Sequence, residues 1–154
     1  MSFVSDTHSF DSFEEALEGQ FELGVTDGLP VVPPTPERVA EMLAAGGVSG
    51  ETILGEVPTR DVFVTAEKVA INAVMAGCLP EYFPVVLAAV RAFLQPKANA
   101  HSTTATLAGA AHAVIVNGPI VDKIGMNWGI NALGQGNRAN ATIGRALQLV
   151  VRNV

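Results

Sequence analysis

A single cysteine, Cys78, stands in a chain of 154 residues, so no internal disulfide can form and no thiolate-rich metal cluster can be built. The thiol is left with packing, catalysis, or a mixed metal site shared with His and carboxylate ligands. No Cys-x-x-Cys or His-x-x-x-His spacing accompanies it, so no metal and no cofactor is expected. Basic residues are also scarce: nine Lys and Arg stand singly against fifteen Asp and Glu, a formal charge of −6. Without a basic stripe there is nothing to neutralise a phosphate backbone, and nucleic-acid binding is excluded as an expected function. No apolar run approaches the roughly 18 residues that cross a bilayer. The acidic start, MSFVSDTHSFDSFEEALEG, lacks the basic flank and apolar core of a signal peptide. No membrane partner is expected, and the location expected is cytoplasmic. Aromatic residues make up only 6% of the chain while Ala, Val and Gly abound, which suits helices packed on a sheet better than a β-sandwich.

What the chain does have is 49% hydrophobic residues, enough for one core and one domain. Residues 1–23 read as an N-terminal arm with a short amphipathic helix at 10–18, capped by Asp11 or Ser12. Residues 24–154 read as a single α/β domain, a small mixed sheet covered by about four helices at 36–46, 66–77, 80–95 and 141–153. The prolines of LPVVPPTP (29–36) fix φ and extend the residues before them, making a rigid strap that ends where Thr35 caps a helix with Pro36 at its first position. Strands are expected at 52–57, 60–64, 103–107 and 111–116. AHAVIVN (111–117) is the strongest strand signal and reads as buried on both faces. The last helix takes Asn140 as its cap and runs apolar into VVRNV, which suggests an oligomer or a partner chain beyond it.

The helix at 66–77 is apolar on nearly every face, as central helices are. Its polar exceptions are Glu67, Lys68 and Asn72, supporting residues whose simplest reading is a neutralising pair, with Lys68 partnered. Gly77-Cys78-Leu79-Pro80-Glu81 stops this helix and starts the next, whose wide apolar face includes Tyr82, a fourth supporting residue. Cys78 either fills a tight corner or is a nucleophile held near the positive end of the second helix, where a thiolate is favoured. Its proton carrier would be His101, in the polar stretch that follows, or His112; His101 is the preferred candidate, and His8 is assigned to a disordered terminus. The loop 125–140, rich in Gly and Asn, either is an ordered structural loop or binds an anionic group through Asn127, Arg138 and Asn140, with Asn117 in the turn before it.

Four strings, TDGLPVVPPT (26–35), EKVAINAVMAGCLPEYFPVVLAAV (67–90), VIVNGPI (114–120) and RANATIGRAL (138–147), resemble a largely uncharacterised bacterial family whose members carry a cysteine or sometimes a selenocysteine in this setting, related by context to UGSC-motif proteins. The resemblance runs from about Gly24 onward. It implies a reactive Cys78, and ligand contacts at Asn117, Arg138 and Asn140. Members of that family continue well past the position of Val154, which implies a second chain that completes the fold. The leading expectation is thus a cysteine-dependent enzyme or enzyme subunit, a hydrolase, lyase or redox enzyme, acting on a small polar, anionic organic substrate. The alternative is a non-catalytic ligand-binding or scaffold subunit of a hetero-oligomer.

Overall fold

The computed structural model describes residues 3–105 and 111–154 and forms one compact α/β domain. Helix α1 (Phe13–Glu22) is capped by Ser12, whose hydroxyl accepts from the Glu15 amide. It runs past the expected end at 18 because Gly19 does not stop it: a side chain at Gly19 would collide with the ring of Phe10, so glycine there admits the arm onto the helix. The strap follows, tied at both ends. The Arg145 guanidinium meets the Asp27 carboxylate at 2.8 Å and also donates to the carbonyls of Leu29 and Pro30, while the Val32 amide donates to the Met75 carbonyl. Helix α2 (Pro36–Gly46) starts at Thr35 and ends at Gly47, which takes φ +61° as its αL cap.

Strands β1 (Ile53–Val57) and β2 (Val62–Thr65) pair antiparallel around a 3-10 turn at Pro58–Arg60. This two-stranded ribbon is the whole sheet among the described residues, smaller than the mixed sheet expected. Thr65 caps the central helix α3 (Ala66–Ala76), and a 3-10 turn (Pro80–Tyr82) leads into α4 (Phe83–Phe93). The expected strand at 103–107 is not one where it is described: α5 (Ala100–Thr104) takes its start, and residues 106–110 lie outside the described residues. Residues 111–117, expected as a strand buried on both faces, form no strand: Ala111, Ala113, Ile115 and Asn117 are exposed, and only His112, Val114 and Val116 turn partly inward. After α6 (Ile120–Lys123) and the Gly- and Asn-rich loop comes α7 (Arg138–Asn153), three residues longer at its start than expected, because Asn137 rather than Asn140 is the cap.

The core forms where α3 is enclosed. Val69, Ala70 and Ala73 of α3 meet Leu43 of α2, Phe83, Val86 and Val90 of α4, and Ile143, Ala146 and Leu149 of α7 in one cluster, with α7 packed most extensively along α3. Small side chains on α3 let the neighbouring helices come close. Asn72, buried in that helix, is satisfied: its amide donates to the Lys68 carbonyl, and its oxygen accepts from Asn153 at 2.7 Å. Among the described residues no helix is long and apolar enough to cross a membrane.

Candidate functional site

Cys78 lies at the end of α3 rather than at the start of α4. Gly77 is left-handed at φ +87°, its amide bonds to the Val74 carbonyl, and the Cys78 amide reaches back to the Ala73 carbonyl. That pair of bonds is a Schellman ending, so Cys78 sits between the C-terminal end of α3 and the 3-10 turn at Pro80–Tyr82 that runs into α4. The side chain is 7% exposed, and its thiol donates to the Thr142 carbonyl at 3.4 Å. Burial pushes the thiol up to about 11, against the smaller opposing effects of that hydrogen bond and of the Arg138 charge. Burial thus works against the thiolate that the sequence suggested.

No imidazole faces Cys78 among the described residues. The His101 side chain lies outside them, and its helix neighbours Ala100 and Thr104 line a small hollow with Val150, Val151 and Val154 at the far end of α7. Thr142, which touches Cys78, is eight residues from Val150, about 12 Å along the helix axis. His112 is held elsewhere, with Nδ1 at 3.3 Å from the Gln148 oxygen and its ring edge-on to Phe93.

Of the other expected ligand contacts, Asn127, Arg138 and Asn140 make internal bonds and Asn117 does not. Arg138 donates from Nε to the Gly77 carbonyl at 3.0 Å, bracing the α3 ending. Asn140 accepts from the Asn127 amide and donates to the carbonyls of Asn127 and Ala132, three bonds that hold the loop to α7. Asn127 closes its own turn, accepting from the Gly129 amide and donating to the Ile130 carbonyl. Asn117 is exposed before Gly118, whose φ of +97° makes the turn. Tyr82 is buried in the core.

A different group of residues opens onto a cavity of about 590 Å³ between the N-terminal arm, α1, the strap and the outer side of α3. The arm is held there by Glu67. This carboxylate, 4% exposed, accepts from the amides of Val4 and Ser5 at 3.1 and 2.8 Å and from the Ser5 hydroxyl at 2.6 Å. Burial works to raise the Glu67 carboxyl, and the Ser5 and Val4 donors outweigh it, leaving it below its ordinary value. Phe3, Phe10, Val25, Val39, Ile71 and Met75 give the cavity an apolar wall.

Gln20 of α1 and Lys68 of α3 line that cavity without a side-chain partner among the described residues, as do Asp6, Thr7 and His8 of the arm. Gln20 is 7% exposed, yet its side-chain amide makes no protein hydrogen bond and is not sealed from the cavity. Lys68 lines the same space with no carboxylate within ion-pair distance, contrary to the expectation that it would be partnered. His8, expected to be disordered, is on the arm wall with Asp6. Reasoning from sequence missed Gln20, although a signal was present: Ala16, Gln20 and Leu23 lie on one helical stripe, and a Gln in an otherwise apolar stripe faces something polar. No group of three or more metal-ligating side chains occurs among the described residues.

In the comparisons with known proteins, no family model, no curated protein and no solved structure matches the chain.

Proposed function

We propose that the chain is a small-molecule-binding subunit without chemistry of its own, that the cavity beneath the N-terminal arm is its site, and that the ligand is a small organic molecule with one anionic group and an apolar body. One observation carries this reading: Gln20, 7% exposed and without a side-chain hydrogen bond among the described residues, and Lys68, without an ion pair among them, line the same cavity. The Gln20 amide, open to the cavity, can both donate to and accept from a ligand. The ammonium supplies a charge-assisted bond for a carboxylate or phosphate. The volume and the mainly apolar wall fit a ligand site, typically about 300–1,000 Å³.

The thiol-dependent reading has one supporting observation, the Arg138 charge near Cys78, and burial outweighs it. An acidic chain with a lone free cysteine supports a cytoplasmic setting. The resemblance to the cysteine and selenocysteine family fits a subunit whose chemistry resides on another chain.

The test is thermal denaturation against a panel of small aliphatic and aromatic carboxylates and phosphate esters, run on the native chain, Lys68→Met and Gln20→Leu. At least one compound is expected to raise the native Tm, since a ligand at a hundred times its Kd stabilises by about 2.7 kcal/mol. Both substitutions are expected to abolish that rise. A panel that moves no Tm, or a rise that survives both substitutions, rejects the proposal.

A further inference from the structure

The loop between α6 and α7 is built inside out. Its ends meet at the base, where the Asn137 side chain donates to the Gly125 carbonyl at 2.8 Å and Asn140 bonds to both backbone groups of Asn127. Within the loop, the side chains of Asn127 and Asn131 bond to its own backbone at Gly129, Ile130 and Gln135. A side chain at Gly134 would collide with that of Asn131, so the turn closes only on glycine. The amides are thus taken up internally, and what the loop presents outward is hydrocarbon. Trp128 is 79% exposed, Ile130 98% and Leu133 104%, so the last two touch almost nothing of the protein. Large apolar side chains held out by a bonded framework mark a docking surface.

Charge identifies what the loop faces. All fifteen acids of the chain lie at or before Asp122, and the residues after it hold four Lys and Arg and no Asp or Glu. Two of those cations, Lys123 and Arg138, stand exposed at the two feet of the loop, and neither is in an ion pair among the described residues. We infer that this loop seats the protein on an anionic lipid surface, with Trp128, Ile130 and Leu133 entering the headgroup layer and Lys123 and Arg138 meeting lipid phosphates. Separate anchors, each almost fully exposed, suit a fluid layer that closes around every one of them, whereas a protein partner would need a pocket for each. Tryptophan favours that interface, and cations beside apolar anchors add attraction to an anionic leaflet. The same surface repels the acidic remainder of the chain, which leaves the loop side as the one that approaches. The expectation of no membrane partner rests on the lack of a spanning run, and a loop that stops in the headgroup layer needs none.

Trp128 is the one tryptophan of the chain, so its emission reports on the loop directly. The test titrates the full chain with vesicles of phosphatidylcholine alone and of phosphatidylcholine mixed with phosphatidylglycerol. The mixed vesicles are expected to carry the protein in flotation and to shift Trp128 emission to the blue, an effect that added salt weakens; the neutral ones are expected to do neither. Lipids brominated along the acyl chain are expected to quench that emission. Ile130→Ser combined with Leu133→Ser is expected to weaken binding roughly tenfold or more, with circular dichroism and Tm unchanged because both side chains lie outside the core. Lys123→Glu is expected to weaken it as well. Should a variant fail to fold, quenching of the native chain by the brominated lipids decides. Failure to bind the mixed vesicles, equal binding to both kinds, or emission that the brominated lipids leave unquenched overturns the inference. So does a blue shift that grows with protein concentration in the absence of lipid, which would assign the loop to a second copy of the chain.

Discussion

The Ser5 hydroxyl lies 2.6 Å from the Glu67 carboxylate, and with the amides of Val4 and Ser5 it fixes the N-terminal arm to the first turn of the central helix. The bond spans 62 residues of sequence and makes the arm one wall of the cavity. Three donors on one carboxylate form a latch whose strength depends on the charge of that carboxylate.

The latch is expected to be acid-labile. Its donors hold the Glu67 carboxyl below the ordinary value of roughly 4.3, so the stabilisation is present above that pH and is lost as pH falls through the lower folded-state value. Limited proteolysis of the arm, slow at pH 7, is expected to accelerate below about pH 4 before the core unfolds. Glu67→Gln is expected to release the arm at neutral pH, costing about 1–3 kcal/mol of stability and removing the pH dependence of arm cleavage.

Cys78 is expected to behave as a core residue. Iodoacetamide should alkylate it slowly in the folded protein at pH 8, and the rate should rise only toward the value of about 11 to which burial pushes the thiol. Cys78→Ser, whose hydroxyl can still donate to the Thr142 carbonyl, should keep the fold and leave ligand binding unchanged. Rapid labelling with a midpoint below roughly 8.5 would restore the nucleophile reading.

Asn140 is expected to matter for the loop rather than for a ligand. Asn140→Ala removes three hydrogen bonds at once and leaves loop groups at Asn127 and Ala132 to water, so Tm should fall by an amount equivalent to about 1–3 kcal/mol. The dissociation constant of any cavity ligand should be unaffected.

Arg145→Ala cuts the strap from α7. The guanidinium joins Asp27, Leu29 and Pro30 from a partly buried position, so the loss should be about 1–2 kcal/mol by chemical denaturation. Because Pro33 to Pro36 form one side of the cavity, ligand affinity should drop as well, which separates this substitution from Asn140→Ala.

Local chemistry was readable in the sequence, and long-range placement was not. Thr35, Thr65, Gly47 and Gly77 act within one helical turn of themselves, and the boundaries they set for α2 and α3 hold in the structure. Asn137 and Asn140 are equivalent as caps by type, and only the bonds of Asn140 to residues 127 and 132 decide between them. Cys78 was placed at the right corner, but its burial was not, because the covering carbonyl of Thr142 depends on how α7 packs. The cavity was invisible for the same reason: it exists only when Glu67 draws in an arm more than sixty residues away, and Lys68 and Gln20 gain meaning from that closure. The β-branched run at 111–117 signalled a strand, but a strand needs a paired neighbour, and among the described residues none lies beside it.

The most direct measurement is the side-chain amide resonance of Gln20 in isotopically labelled protein, followed while the carboxylate or phosphate ester that raises Tm is titrated in. The account predicts that this resonance shifts in a saturable way, that the Asn72 and Asn153 side-chain amides move with it, and that Lys68→Met abolishes the response. A binding compound that leaves Gln20 unmoved and perturbs Cys78, Thr142 and Arg138 instead would contradict it.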